Sequence, residues 1–173
     1  MLEPFFKTHE EVDKYFNKVT ESLLILKARI IALYKSDKDS IEYFALYDSI
    51  LTQVRALFIE NNRYKNNYTV QVFLNKLGLS KTSEEIDTYL NSEFKPGISV
   101  RDAIKTSVDR FIVHYDYVSN EEEHIEEICR EHLTDMNNEF FIGRLVDIIS
   151  IHMILSYVKR MNNWEINLLE DKQ

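Results

Sequence analysis

Glycine and proline are scarce in this sequence, with three of the first and two of the second among 173 residues. These residues punctuate the turns between strands, so a sheet-rich fold has little to work with and an all-α fold is expected. A single cysteine, Cys129, excludes an internal disulfide framework and suits a reducing cytosol. Positive charge is not in excess either. The net charge is -8, so the chain repels nucleic acid on average, and any role there needs a local basic face. The longest uncharged apolar run, IISIHMILSYV at residues 148–158, is too short to span a bilayer. The opening stretch MLEPFFKTHEEVDKYF carries acids where a secretory leader carries bases, and lacks its apolar centre. A cytoplasmic chain with no membrane partner is expected. No phosphate-cradling glycine loop, nucleophile elbow or zinc-finger spacing occurs, and no cofactor is implied.

What the sequence does have is core material and helix signals. Hydrophobic residues make up 45%, including ten Phe and ten Tyr. Thr8 with Glu11 forms a capping box ahead of an apolar periodicity that runs to about Lys35. A second helix is expected from Asp39 or Ser40, with Tyr43, Tyr47, Ile50, Val54 and Leu57 as its buried stripe, fading at Asn61 and Asn62. After the polar connector NNRYKNN comes a short helix that Gly78 stops, then one opened by Thr82 and Glu85. KPGIS breaks the chain at Pro96 and Gly97. Ser99 with Asp102 then caps a helix of about 20 residues. Ser119 with Glu122 caps NEEEHIEEICREHL, and a strongly apolar last helix follows a kink near residues 134–138. Short connectors favour antiparallel neighbours. The expected architecture is an up-and-down antiparallel bundle of four to five long helices plus short ones. It forms one domain, residues 1–162, with a C-terminal tail at 163–173 that packs through Trp164, Ile166 and Leu168 or frays.

The stretch SVDRFIVHYDY, residues 107–117, nominates a site. On a regular helix Ile104, Val108, Phe111, Ile112, Tyr115 and Val118 gather on the core side. His114 then lies about 90° from the centre of that stripe and Arg110 about 130° from it, one turn apart on a shared face. A histidine that titrates near neutrality can move a proton, and a permanently charged guanidinium can hold a phosphodiester as negative charge builds. The plainer alternative makes His114 a boundary residue and Arg110 a surface partner of Asp109 or Asp116. Arg55 lies at the edge of its own helix stripe, about 120° from the centre, and pairing with Asp48 is the plain expectation for it.

VDRFIVHYD at 108–116, preceded by a long helix containing LTQVRALFIENN at 51–62, resembles the HEPN domain family. The resemblance implies an antiparallel helical bundle that forms a homodimer. In active members it implies metal-independent cleavage of RNA by an arginine and a histidine, in toxin–antitoxin or phage-defence settings. His114 matches the family histidine and Asp109 the polar residue after the family arginine. The arginine itself is displaced: Val108 precedes Asp109, and Arg110 stands closer to His114 than the family pattern has it. The resemblance makes His114 and Arg110 the catalytic pair, with Arg55, Arg101, Asp109, Tyr115 and Asp116 contacting substrate. It leaves open a non-catalytic bundle that keeps the scaffold and binds a cognate protein partner through the acidic face at 121–135.

Three other groupings have plain readings beside the chemical ones. His124, Glu127, Glu131, Cys129 and His132 carry metal-like spacings, but His124 and Cys129 fall on different helix faces, so no metal is expected and a solvated acidic face is. Arg63 and Lys65 interleave with Tyr64 and Tyr68 in a stretch that could stack on RNA, or simply be an Asn-rich loop. His152 reads as a hydrogen-bonded core histidine.

Overall fold

The computed structural model describes residues 9–60, 69–113, 119–134, 147 and 149–150. It is an all-α bundle with one small two-stranded hairpin. Helix α1 (His9–Lys35) buries Val19, Leu23, Leu26, Ile30 and Leu33, the three- and four-residue spacing of a helix with one face against the core. A tight turn follows, and Ser40 caps α2 (Ile41–Val54) by accepting from the Tyr43 N–H at 3.1 Å. The two helices run antiparallel. Gln53, late in α2, donates to the Ser22 carbonyl at 2.7 Å and accepts from Arg29 at 2.6 Å, both in α1.

Beyond Val54 the helix widens into a π-helical turn, Arg55–Ile59, in which the Glu60 N–H reaches back to the Arg55 carbonyl at 2.9 Å. Widening shifts the buried stripe by one residue. Phe58 and Ile59 are buried while Leu57, the residue the 3.6 period selects, is only half-buried. The Phe58 carbonyl accepts from the buried Gln71 side chain at 2.8 Å.

Thr69 then caps α3 (Val70–Lys76). It ends as expected at Gly78, with φ of 79°, where the Leu79 N–H meets the Leu74 carbonyl at 2.9 Å and the Gly78 N–H the Asn75 carbonyl at 3.1 Å. Helix α4 (Ser80–Leu90) departs from expectation. It starts at Ser80 without a side-chain cap, and Thr82 is buried inside it rather than opening it. The Pro96–Gly97 break is the turn of an antiparallel hairpin, β1 (Glu93–Lys95) with β2 (Ile98–Ser99), which the sequence pattern did not suggest. Gly97 supplies the φ of 81° that turn needs.

Ser99 caps α5 (Val100–Thr106), its hydroxyl accepting from the Asp102 N–H at 3.1 Å. The helix continues as a second π-helical segment, Ser107–Val113, in place of the last turns of the regular helix expected. Helix α6 (Asn120–Thr134) opens with the expected capping box, the Ser119 N–H reaching Glu122 at 2.9 Å and the Glu122 N–H reaching Ser119 at 3.3 Å. Asp147, Ile149 and Ser150 are helical. Ile149 is fully buried in the main core, and Asp147 pairs with Lys27 of α1. The Thr8 cap, the 61–68 connector with its basic and aromatic residues, the kink at 135–138, His152 and the tail lie outside the described residues.

The main core draws on α1 to α5 and both π segments. A separate small cluster of Ala103, Ile125 and Cys129, flanked by Phe94 and Ile98, joins α6 to α5 and the hairpin. Among the described residues no helix is long and apolar enough to cross a membrane. The register shift at the first π turn has a measurable consequence. Phe58→Ala should cost about 3–5 kcal/mol in urea unfolding, and Leu57→Ala well under half of that; the reverse order would mean regular helix through Ile59.

Candidate functional site

The two π segments lie where the ends of α2 and α5 approach, and one ion pair joins them. Arg55, first residue of one, donates to the Asp109 carboxylate of the other. Arg55 is mostly covered and Asp109 about half-exposed. The structure therefore corrects the plain sequence reading of Arg55, whose partner is Asp109 and not Asp48. A surface guanidinium takes whichever carboxylate the tertiary fold brings nearest, and the π turn re-aims this one.

Arg110 has a contact its plain reading did not include. Its Nε lies 3.2 Å from Glu122 in the first turn of α6, a carboxylate from another helix. Glu122 is held below the usual carboxylate range. The Ser119 N–H and then its hydroxyl are the main causes, and Arg110 adds to them. Arg101 sits at the opposite end of α5, bound to Asp87 at 3.1 Å and Asn91 at 3.3 Å on and just after α4. That is about 12 Å along the axis from Asp109, so the structure does not gather it with Arg55 and Arg110. Val108 is buried in the main core. His114, Tyr115 and Asp116 lie outside the described residues.

Sequence reasoning missed a second cluster, behind Arg110, where α6 meets α2 and the second π segment. Tyr47 and Asp48 come from α2, Ser107 from the π segment, and Glu126, Cys129 and Arg130 from α6. Arg130 reaches Glu126 at 3.3 Å and places its guanidinium 4.9 Å from the Phe44 ring centre and 5.4 Å from that of Tyr47. The Tyr47 hydroxyl and Glu126 Oε2 are both sealed from solvent, and the Tyr47 phenol lies against the Glu126 carboxylate. Burial, then the charge of Glu126, pushes the Tyr47 phenol far above its ordinary range. Burial pushes the Cys129 thiol up to about 12, partly opposed by the Ser107 hydroxyl that faces it. Burial and then Glu126 raise Asp48, while Arg130 pulls it down. The available sequence signal was the i,i+4 pair of Glu126 and Arg130 on the same helix as a buried cysteine.

The arrangement offers two arginines close to Asp109 but each already held by a carboxylate. Of the metal-like spacing on α6, His132 lies outside the described side chains, and His124 and Cys129 are apart. His124 is exposed and sits 3.8 Å from Glu127, whereas Cys129 is buried on the other side. Among the described residues no group of three or more ligating side chains is placed to hold a metal ion. No family model matches this sequence, and comparison with curated proteins and with solved structures finds no match.

Two measurements check this geometry. A double-mutant cycle on Arg55→Ala and Asp109→Ala should give a coupling of about 0.5–1 kcal/mol that shrinks in high salt; zero coupling at low salt would remove the link between the π segments. Glu122 has a native pKa below its unfolded one, so its capping contribution is present at neutral pH and lost as pH falls through that lowered value. A carboxyl NMR titration should find it below the ordinary glutamate range in the native chain and back within it in Ser119→Ala.

Proposed function

We propose that this chain is a HEPN-like helical domain that binds RNA, with Arg55 as the guanidinium of its site and His114 as its acid and base. One observation carries this reading: Arg55 is delivered from the end of α2 onto Asp109, the polar residue of the VDRFIVHYD motif. A permanent cation thus stands beside the motif although Val108 occupies the place of the family arginine. Cleavage would run without a metal. His114 would take the proton of the 2′-hydroxyl as that oxygen attacks the neighbouring phosphorus. The bond from phosphorus to the 5′-oxygen would break with the imidazolium returning a proton to that leaving oxygen, and a 2′,3′-cyclic phosphate would remain. The guanidinium would offset the charge building on the phosphate. A homodimer, in a toxin–antitoxin or phage-defence setting, is the context the family resemblance implies.

A second reading has its own support. Arg55, Arg101 and Arg110 each have a carboxylate against them, and α6 turns Glu121, Glu123, Glu127 and Glu131 to solvent. That surface suits a non-catalytic bundle engaging a basic cognate protein. Purified full-length chain incubated with single-stranded RNA in excess EDTA separates the two. Under the first reading cleavage is seen and falls at least about a hundredfold in His114→Ala, a typical loss for a general acid–base group. Equal cleavage by both chains, or none by either, ends the nuclease reading.

A further inference from the structure

Helix α1 is apolar on two sides. Its core stripe, Val19, Leu23, Leu26, Ile30 and Leu33, is buried. About 150° around the helix runs a second stripe of Leu24, Ala28 and Ile31, all exposed. Ile25, exposed, and Ala32, partly exposed, extend it along one edge. Leu24 is 56% exposed and Ile31 46%. A helix packed on one core needs one apolar face and ordinarily turns a polar one outward. Among the described residues six large apolar side chains are exposed, and Leu24, Ile25 and Ile31 of these fall within this one patch. Apolar side chains gathered in this way, with charge at the rim, mark a surface that another molecule covers.

The charges at its two ends select the occupant. Glu21 and Lys35 continue the stripe at the same three- and four-residue steps, and both are exposed. Each stands seven residues from Ala28. Among the described residues neither takes part in an ion pair. The stripe therefore runs acid, apolar, small, apolar, base, with its smallest side chain at the midpoint. Laid antiparallel on itself about Ala28, it brings Glu21 of each copy to Lys35 of the other, Leu24 to Ala32, and Ile25 to Ile31. Both ion pairs form at once, as a two-fold contact requires. A parallel copy would set Glu21 on Glu21 and Lys35 on Lys35, which repel. Alanine at the crossing point lets the two helix axes come close.

We propose that the outer face of α1 is a self-association surface. A second copy of this chain docks on it antiparallel through Leu24, Ala28 and Ile31, its direction fixed by Glu21 and Lys35. The apolar part covers about two and a half turns of helix. That places the contact among the small, reversible interfaces, with dissociation roughly in the micromolar range. Docking at this face stands or falls separately from RNA cleavage, whose proposed residues Arg55 and His114 lie outside α1.

Sedimentation velocity of the full-length chain from about 1 to 200 μM should show monomer giving way to dimer, the range expected of a small interface. Glu21→Lys or Lys35→Glu alone sets like charges together at both ends and should raise the dissociation constant about tenfold at low salt. The two combined restore opposite pairs and should return it to within about twofold of the native value. Ala28→Cys should form a disulfide-linked dimer under mild oxidation, because the crossing point brings the two copies of that position within reach. The native chain, whose one thiol is the buried Cys129, should not. All three positions are exposed, so the substitutions leave the core intact. Monomer throughout this range, with no cross-link at position 28, overturns the proposal. An Ala28→Cys thiol that then resists alkylation assigns the stripe to another part of the same chain, and one that reacts freely assigns it to a different partner. A dimer that ignores both charge variants and does not cross-link at position 28 lies elsewhere on the surface and equally overturns it.

Discussion

The ion pair between Arg55 and Asp109 joins the two π-helical segments found among the described residues. A π turn spends an extra residue per hydrogen-bonded ring and weakens the bond geometry, so it persists only where the surroundings favour it. Here the first turn buries Phe58 and Ile59 together and hands the Phe58 carbonyl to Gln71. The second sets Val108 and Ser107 inward while leaving Asp109 half-exposed beside Arg55. Each segment thus gives the other its polar partner, and the charged pair lies at the rim of the core they share. Remove that agreement and the side chains of the motif region would face different neighbours.

Electrostatics around this point follows from the excess of acids. With 29 acidic and 21 basic side chains, an arginine on this surface has more than one carboxylate to choose from. Asp109, Asp87 and Glu122 each take one, from three different elements. The arginines consequently act as fasteners between helices as well as candidate ligand groups. Any anion arriving at Arg55 or Arg110 has to compete with a carboxylate already in place, which sets a threshold on its charge density.

The fold was legible wherever the signal was local. Ser40, Ser99 and Ser119 cap their helices because the bonds they make span three residues, and Gly78 ends α3 because only its positive φ closes the turn cheaply. Thr82 misled for the converse reason: the Leu79 N–H closes the α3 cap while its carbonyl already opens α4 by accepting from the Ser83 N–H, and burial claimed the hydroxyl residue. Neither π segment has a pattern in the sequence, so a strict 3.6 period chose Leu57 where Phe58 is buried. The Asp109 partner of Arg55 and the Glu122 contact of Arg110 were illegible because they are tertiary. Arg55 and Asp109 are 54 residues apart, and nothing near either position announces the other. The buried Tyr47–Glu126 seam escaped notice because Glu126 sits in a run of acids that otherwise face water.

Among the described residues the contact between Lys27 and Asp147 spans 120 residues, with Ile149 set into the core beside it. During synthesis the α1–α2 hairpin can form as soon as Val54 has left the ribosome. The segment that completes its packing emerges some 93 residues later, about 5 to 20 seconds at ordinary elongation rates. For that interval the nascent chain carries a core lacking Ile149, and the apolar positions meant for it are open to other partners. Order of appearance, and not only final geometry, is therefore written into the placement of this one aspartate.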